Sequence, residues 1–234
     1  MWFAQFVDKP GGLTYLYPKD NVEQALDEFG ASLSNLEYMH VLDEDGGVSY
    51  GCDQQWYGSV RQRMAGCGPT VATNILLYMS RAHGLALPLE ARDKAGCIRL
   101  MEQVWRHVTP GYMGMHLPEL LERGVLAFAR EHGMALGSRL MEVPKKASIR
   151  PNLPEVTAFI REALRADNPV AFLNLCNGDI AELDEWHWVT LVALKPGDGA
   201  FATIYDGRKS FDMDIGLWLA TSKRGGGFVY FYRH

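Results

Sequence analysis

Cysteine is scarce in this chain, with four in 234 residues, at Cys52, Cys67, Cys97 and Cys176. That is too few, too widely spaced, for a disulfide framework, and no two sit at the short spacing of a zinc ribbon. Basic charge is also in deficit. Lysine and arginine number 23 against 28 aspartates and glutamates, a formal net charge of −5, which argues against a nucleic-acid surface because such surfaces are usually basic. Long apolar runs are missing: nothing approaches the roughly 18 uncharged residues of a membrane helix. The opening residues, Met1 to Lys9, lack the basic segment and apolar stretch of a signal peptide, so a cytoplasmic location is expected. No repeat, low-complexity tract or linker interrupts the chain.

What is present is the composition of a globular protein. Hydrophobic residues make up 47% and charged residues 22%, enough for one good core. The most informative stretch is Gly66-Cys67-Gly68-Pro69-Thr70, followed by apolar residues at Val71, Ile75, Tyr78 and Met79. That spacing is one face of a 3.6-residue repeat and predicts a helix. Pro69 suits its first turn, where a missing N–H leaves no bond unmade, and Gly84 can end it in a left-handed cap. Cys67 therefore falls at the helix start, facing unpaired N–H groups and the positive end of the macrodipole. A thiol there, beside an imidazolium, is favoured as the nucleophilic thiolate.

Along the rest of the chain, residues 21–36 read as an amphipathic helix with Asn21 as its cap, and Asp43 to Gly47 as a turn. Residues 48–66 look irregular. Helical patterns follow at 88–108, 117–132 and 154–166, the last two beginning near Pro118 and Pro154. The period then changes. Residues 169–175, 186–194, 201–206 and 227–232 read as strands, with a short helix over 213–222 between the last two. Helices first and strands later, joined by hairpin-length connections, indicate an α+β fold with an antiparallel sheet. One domain is expected over residues 1–234: an N-terminal extension at 1–47, a helical half at 48–135 and a sheet half at 136–234.

His187 is the histidine that lies inside a strand pattern. The turn Lys195 to Ala200 implies that the strands on either side of it form a hairpin. If Lys195 pairs with Ala200, Asp206 lies opposite Val189 and diagonal to His187, within side-chain reach, where its carboxylate could orient the imidazole. A one-residue slip or a bulge would move Asp206 to the other face. Asn174, on the preceding strand, is the competing orienter. Asp184 and Glu185 read first as solvated charges of a loop on the approach to His187; as an acidic rim they would favour basic or amine-bearing substrates. For a developing oxyanion, the Cys67 N–H is one donor by position and the Gln62 amide the second, with Gln54 and Gln55 as fallbacks if the loop folds back.

These elements together resemble the papain-like cysteine peptidases, and more narrowly the bacteriocin-processing (double-glycine leader) peptidases and their C39-like bacterial relatives. The resemblance rests on Gln62, on Cys67-Gly68-Pro69-Thr70 with its apolar helix, on His187 in His-Trp-Val-Thr-Leu-Val, and on Asp206 in Ile-Tyr-Asp-Gly. It implies a papain-like fold. It also implies Gln62 as oxyanion donor, Cys67 as nucleophile, His187 as base and Asp206 as orienter. Gln62 stands slightly closer to the cysteine than the family pattern suggests. The expectation is a thiol hydrolase that cleaves a peptide or isopeptide amide without a cofactor, acting on a peptide or protein. Acyl transfer, deamidation or transglutamination by the same triad, a non-catalytic binding module, and a zinc site made of Cys67, His187 and Asp206 are the alternatives.

Overall fold

The computed structural model describes residues 30–43, 46–196 and 200–234. Its centre is a sheet in the order β4 (Leu136–Val143), β9 (Gly226–Arg233), β5 (Val170–Asn174), β6 (His187–Leu194), β7 (Phe201–Asp206) and β8 (Lys209–Asp214). Every pairing is antiparallel, and β1 (Ala31–Ser32) joins β6 beyond the end of β5. A separate small hairpin pairs β2 (Val41–Leu42) with β3 (Val48–Ser49) across the expected turn. The α+β class follows from these elements.

Both faces of the sheet are covered. On one, Ala171, Leu173, Trp188, Val229 and Phe231 pack with α2 (Cys67–His83), α3 (Lys94–Trp105) and α4 (Pro118–Glu131). On the other, Val170, Phe172, Val189, Leu191, Phe228 and Tyr230 pack with α5 (Leu153–Arg165) and α6 (Ile215–Thr221). The alternation of side chains along each strand divides the two cores. All five residues of β5 are buried, which is why it reads as a continuous apolar run rather than an alternating one. Phe172 stacks on Phe228 at 4.8 Å and meets Trp218 edge-on at 4.7 Å, both favoured aromatic geometries.

Helix α2 is more deeply set than a one-faced pattern implies: every residue from Gly68 through Met79 is buried. A helix enclosed on all sides must satisfy its own polar groups. Thr73 Oγ1 donates to the Pro69 carbonyl at 2.8 Å, and Asn74 Oδ1 accepts from the Cys52 N–H at 2.7 Å. Gly84 (φ 63°) ends the helix in the left-handed conformation, its N–H returning to Met79 O. No helix among the described residues is long and apolar enough to cross a membrane.

Several expectations are corrected. Of the helix expected over 21–36, residues 21–29 lie outside the described residues. The remainder is strand β1 and a 3-10 turn, Leu36–Met39, capped by Asn35. Ala31 and Leu33 are buried while Ser32 between them is exposed, the alternation of a strand. The irregular stretch before Cys67 contains helix α1 (Val60–Ala65), closed by a capping box between Ser59 and Gln62. The helix expected at 213–222 starts at Ile215, capped by Asp214 at the end of β8. Strands β4 and β8 were not expected at all.

Candidate active site

Cys67 opens α2 directly after α1, with Gly66 the residue common to both caps. Both flanking glycines are closely approached, Gly66 by fixed backbone and an aromatic ring and Gly68 by a flexible methionine. A Cβ on Gly66 would lie 2.4 Å from Gln62 O and 2.8 Å from the Tyr57 ring, and one on Gly68 would lie 2.7 Å from the Met115 sulfur. No side chain caps the helix, so its first N–H groups keep no side-chain acceptor, and Pro69 contributes none. The thiol is half-buried.

The hairpin expected between β6 and β7 forms, by a different route. At the turn Lys195 N–H donates to Phe201 O, one residue out from the expected pairing with Ala200. Leu194↔Ala202 and Ala193↔Thr203 keep that shifted register, but the next pair is Leu191↔Ile204. Val192 is the extra residue, a bulge. Past it, Thr190↔Tyr205 returns to the expected register, which puts Val189 opposite Asp206. The His187 Nε2–H donates to Asp206 Oδ2 at 2.9 Å. Without the bulge the turn pairing would have carried Asp206 to the other face.

Cys67 lines the same small cavity as the His187 ring and Asp206, near enough to bear on the charge of the imidazole. Asp206 occupies Nε2, which leaves Nδ1 as the free ring nitrogen. Burial alone would favour a neutral imidazole. Bonding to Asp206 and the nearness of Cys67, with the charges of both, outweigh it and push the His187 pKa up to about 10. The histidine side chain is 14% exposed and that of Asp206 28%, so the pair is largely shielded from solvent.

The structure brings Cys67, His187 and Asp206 together and leaves Gln62 out. The Gln62 carbonyl accepts from Ser59, and its Nε2 donates to Glu102 at 2.7 Å. Its carbonyl caps α1 and its NH2 is turned to Glu102, away from the cavity that the thiol lines. Gln55 is exposed. Gln54 is the glutamine beside the thiol. It lines a cavity of about 10 Å³ with Cys67, His187 and Asp206, close to the space of one water. Its Nε2 gives one proton to Arg63 O at 2.8 Å, leaving the second. Asn174 pairs with His187 across β5 and β6, but its amide is engaged elsewhere. It donates to Asp184 O at 2.7 Å, while its Oδ1 accepts from Trp218 Nε1 at 2.9 Å and the Cys176 N–H at 3.2 Å. It holds the loop ahead of His187, not the ring.

Above the thiol lies a groove of about 820 Å³. Its walls are α1, through Val60, Arg61 and Met64, the tight turn Gly111–Gly114 with Met115, and Leu173, Leu175 and Trp186 from the sheet side. Trp188 ties the turn down, its Nε1 donating to Met115 O at 2.7 Å. Trp186 sits at φ 55°, a strained conformation for a bulky residue, of a kind that gathers at functional sites. Neither Asp184 nor Glu185 lines the groove or the smaller cavity; both are exposed. They are the solvated loop charges of the simpler reading, not an acidic rim on the site's walls. Nothing in the sequence pointed to Trp186, Met115 or the Gly111–Gly114 turn. They belong to the site only through tertiary placement. Cys67, His187 and Asp206 are not arranged as zinc ligands: among the described residues no cluster of His, Cys, Asp and Glu could hold a metal.

No protein-family model matches the sequence, and no curated protein matches it significantly.

Proposed function

We propose that this chain is a cysteine-dependent hydrolase of a papain-like kind, resembling the C39-like peptidases, that cleaves a peptide or isopeptide amide through a thioester. The observation that carries this reading is the convergence of the Cys67 thiol, the His187 ring and the Asp206 carboxylate on one small cavity, with the ring bonded to the carboxylate. A thiol at an uncapped helix start, on a helix packed against the strand that holds its imidazole, is what nucleophilic amide chemistry requires.

In this reading the thiolate attacks the scissile carbonyl carbon. The electron pair of the C=O moves to oxygen, where the Cys67 N–H and the second Gln54 Nε2 proton receive it. As the C–N bond breaks, His187 Nδ1 delivers its proton to the departing nitrogen, and an amine leaves. Asp206 holds the ring on Nε2 throughout. Neutral His187 then takes a proton from water, whose oxygen attacks the thioester; the acid leaves and the thiolate–imidazolium pair returns. Each step is metal-free and balanced in protons.

The test is alkylation with iodoacetamide at about pH 6, mapped by peptide mass. Cys67 is expected to label far faster than Cys52, Cys97 or Cys176, and a fluorogenic peptide library is expected to yield substrates lost in Cys67→Ala. Labelling of Cys67 no faster than the other three would overturn the proposal.

A further inference from the structure

Two cysteines that the hydrolytic chemistry does not use meet in the core. The segment from Cys52 to Tyr57 lies along α3 and touches it at three places. The Lys94 ammonium sits 5.3 Å over the Trp56 ring, Tyr57 Oη donates to Met101 O at 3.4 Å, and the Tyr57 ring meets Trp105 edge-on at 5.3 Å. With Cys97, these three α3 residues fall at successive spacings of three and four, one stripe of the helix facing that segment. Cys97 is thereby turned toward Cys52, and both thiols are fully buried in the same core. Their backbones are held separately, the Cys52 N–H by Asn74 Oδ1 at 2.7 Å and the Cys97 N–H by Asp93 O at 2.9 Å. The two thiols are near enough for each to set the other's ionisation. Their contact, with burial, pushes the Cys52 thiol up; on Cys97 the same contact outweighs burial and, helped by the Arg81 charge, holds the thiol down. The acceptors that Arg81 meets, Tyr38 O and Ala91 O at 2.7 Å each, are neutral carbonyls, which leave its charge uncancelled.

We propose that Cys52 and Cys97 are a redox pair, which hydrogen peroxide closes into a disulfide that staples the segment carrying Gln54 to α3. The inference goes beyond the hydrolase reading and needs none of its chemistry. Cys67 lines both the open groove and the small cavity, and Cys52 lines the cavity with it. A reagent little larger than water is thus led from the groove toward the pair. Cys97, the more acidic of the two, attacks one peroxide oxygen as the thiolate. The O–O bond breaks, and the hydroxide that leaves takes the proton the thiol gave up. The Cys52 sulfur then attacks the Cys97 sulfenic acid, the S–O bond breaks, and the oxygen departs as water with the Cys52 proton. Two thiols lose two electrons, and one peroxide becomes two waters. The bond joins parts of the chain far apart in sequence, so it narrows the unfolded ensemble and stabilises the fold.

The test uses the full chain as Cys67→Ser, which keeps the site thiol from competing. The folded protein is held with a small excess of hydrogen peroxide for several hours, then denatured in N-ethylmaleimide and mapped by peptide mass without reduction. A linked Cys52–Cys97 peptide is expected as the main product, with Cys176 still alkylated. The melting temperature should rise by about 5–10 °C and return with dithiothreitol. Adding Cys97→Ala to the same chain should abolish that rise. Recovery of Cys52 and Cys97 as alkylated thiols overturns the proposal. So does their conversion to sulfinic acids without a link, or a link that forms only when peroxide meets the unfolded chain. The wild type is treated in parallel, and there a Cys52–Cys67 link as the main product would remove Cys97 from the pair and overturn the assignment.

Discussion

Replacing Asp206 by asparagine preserves the shape of the contact on His187 and removes its charge. The effect on stability can be worked from the histidine. Its pKa is raised from an ordinary 6.5 to about 10. At about 1.36 kcal/mol for each tenfold step, the contacts that hold the imidazolium contribute about 5 kcal/mol in total. They are shared between Asp206 and Cys67 and weakened by the 28% exposure of the Asp206 side chain. The carboxylate's part is then about 2 kcal/mol. A histidine raised on folding binds a proton that the unfolded chain has released, so the contribution is complete below the unfolded pKa and is lost as pH rises through the folded one. Urea unfolding of the wild type and Asp206→Asn should therefore differ by about 2 kcal/mol near pH 6, by nearly as much near pH 8, and by less than about 1 kcal/mol near pH 9.5. A gap that stays constant over that range, or that widens with pH, would refute the assignment of the imidazolium to this pair.

Gln54→Ala is expected to lower kcat about a hundredfold with little change in stability, as removal of an oxyanion donor does; Gln62→Ala should leave kcat nearly intact and cost about 1 kcal/mol through the lost capping box. Steady-state kinetics beside thermal melts separates the two, and the reverse pattern would return the oxyanion role to Gln62. Asn174→Ala leaves the Cys176 N–H without its acceptor in a buried site and the Trp218 indole N–H with only its second one, Cys176 O at 3.1 Å; it should destabilise by about 1–3 kcal/mol, visible as a lower urea midpoint. Gly66→Ala places a methyl 2.4 Å from Gln62 O and 2.8 Å from the Tyr57 ring; it should slow Cys67 alkylation severalfold by displacing the helix start, and wild-type labelling would show that the junction tolerates the clash. The pH–rate profile of hydrolysis should fall as pH rises through about 10, where His187 loses the proton it delivers, and that limb should move to lower pH in Asp206→Asn.

How much of the site could be read without coordinates varies residue by residue. Cys67 was legible because its signals are local: glycines, a proline in the first turn and a 3.6-residue apolar repeat all act within the same few residues. His187 was legible as a strand residue for the same reason. Gln62 was misassigned although the pattern Ser59-x-x-Gln62 is itself a capping signature; the glutamine that closes this helix end has its NH2 turned to Glu102 and lies outside the cavity beside the thiol. Strand β8 also carried a readable alternation, Phe211 and Met213 between polar neighbours, which the adjoining helix signal hid. By contrast, Ala31 and Leu33 form a strand edge only because β6 extends past β5 to receive them.

The sequence by itself determined that a thiol would stand at the mouth of a buried helix and an imidazole on a late strand, since short-range sterics and hydrophobic period decide both. Only the tertiary structure decided that they meet, that Gln54 rather than Gln62 stands beside them, and that arginine rather than acid lines the approach. Asp206 shows why. Its place depends on a turn pairing shifted by one residue and a bulge at Val192 that shifts it back. With a side-chain period of two, each such step reverses the face, and the count of steps is settled by packing on both sides of the sheet rather than by any residue near the aspartate.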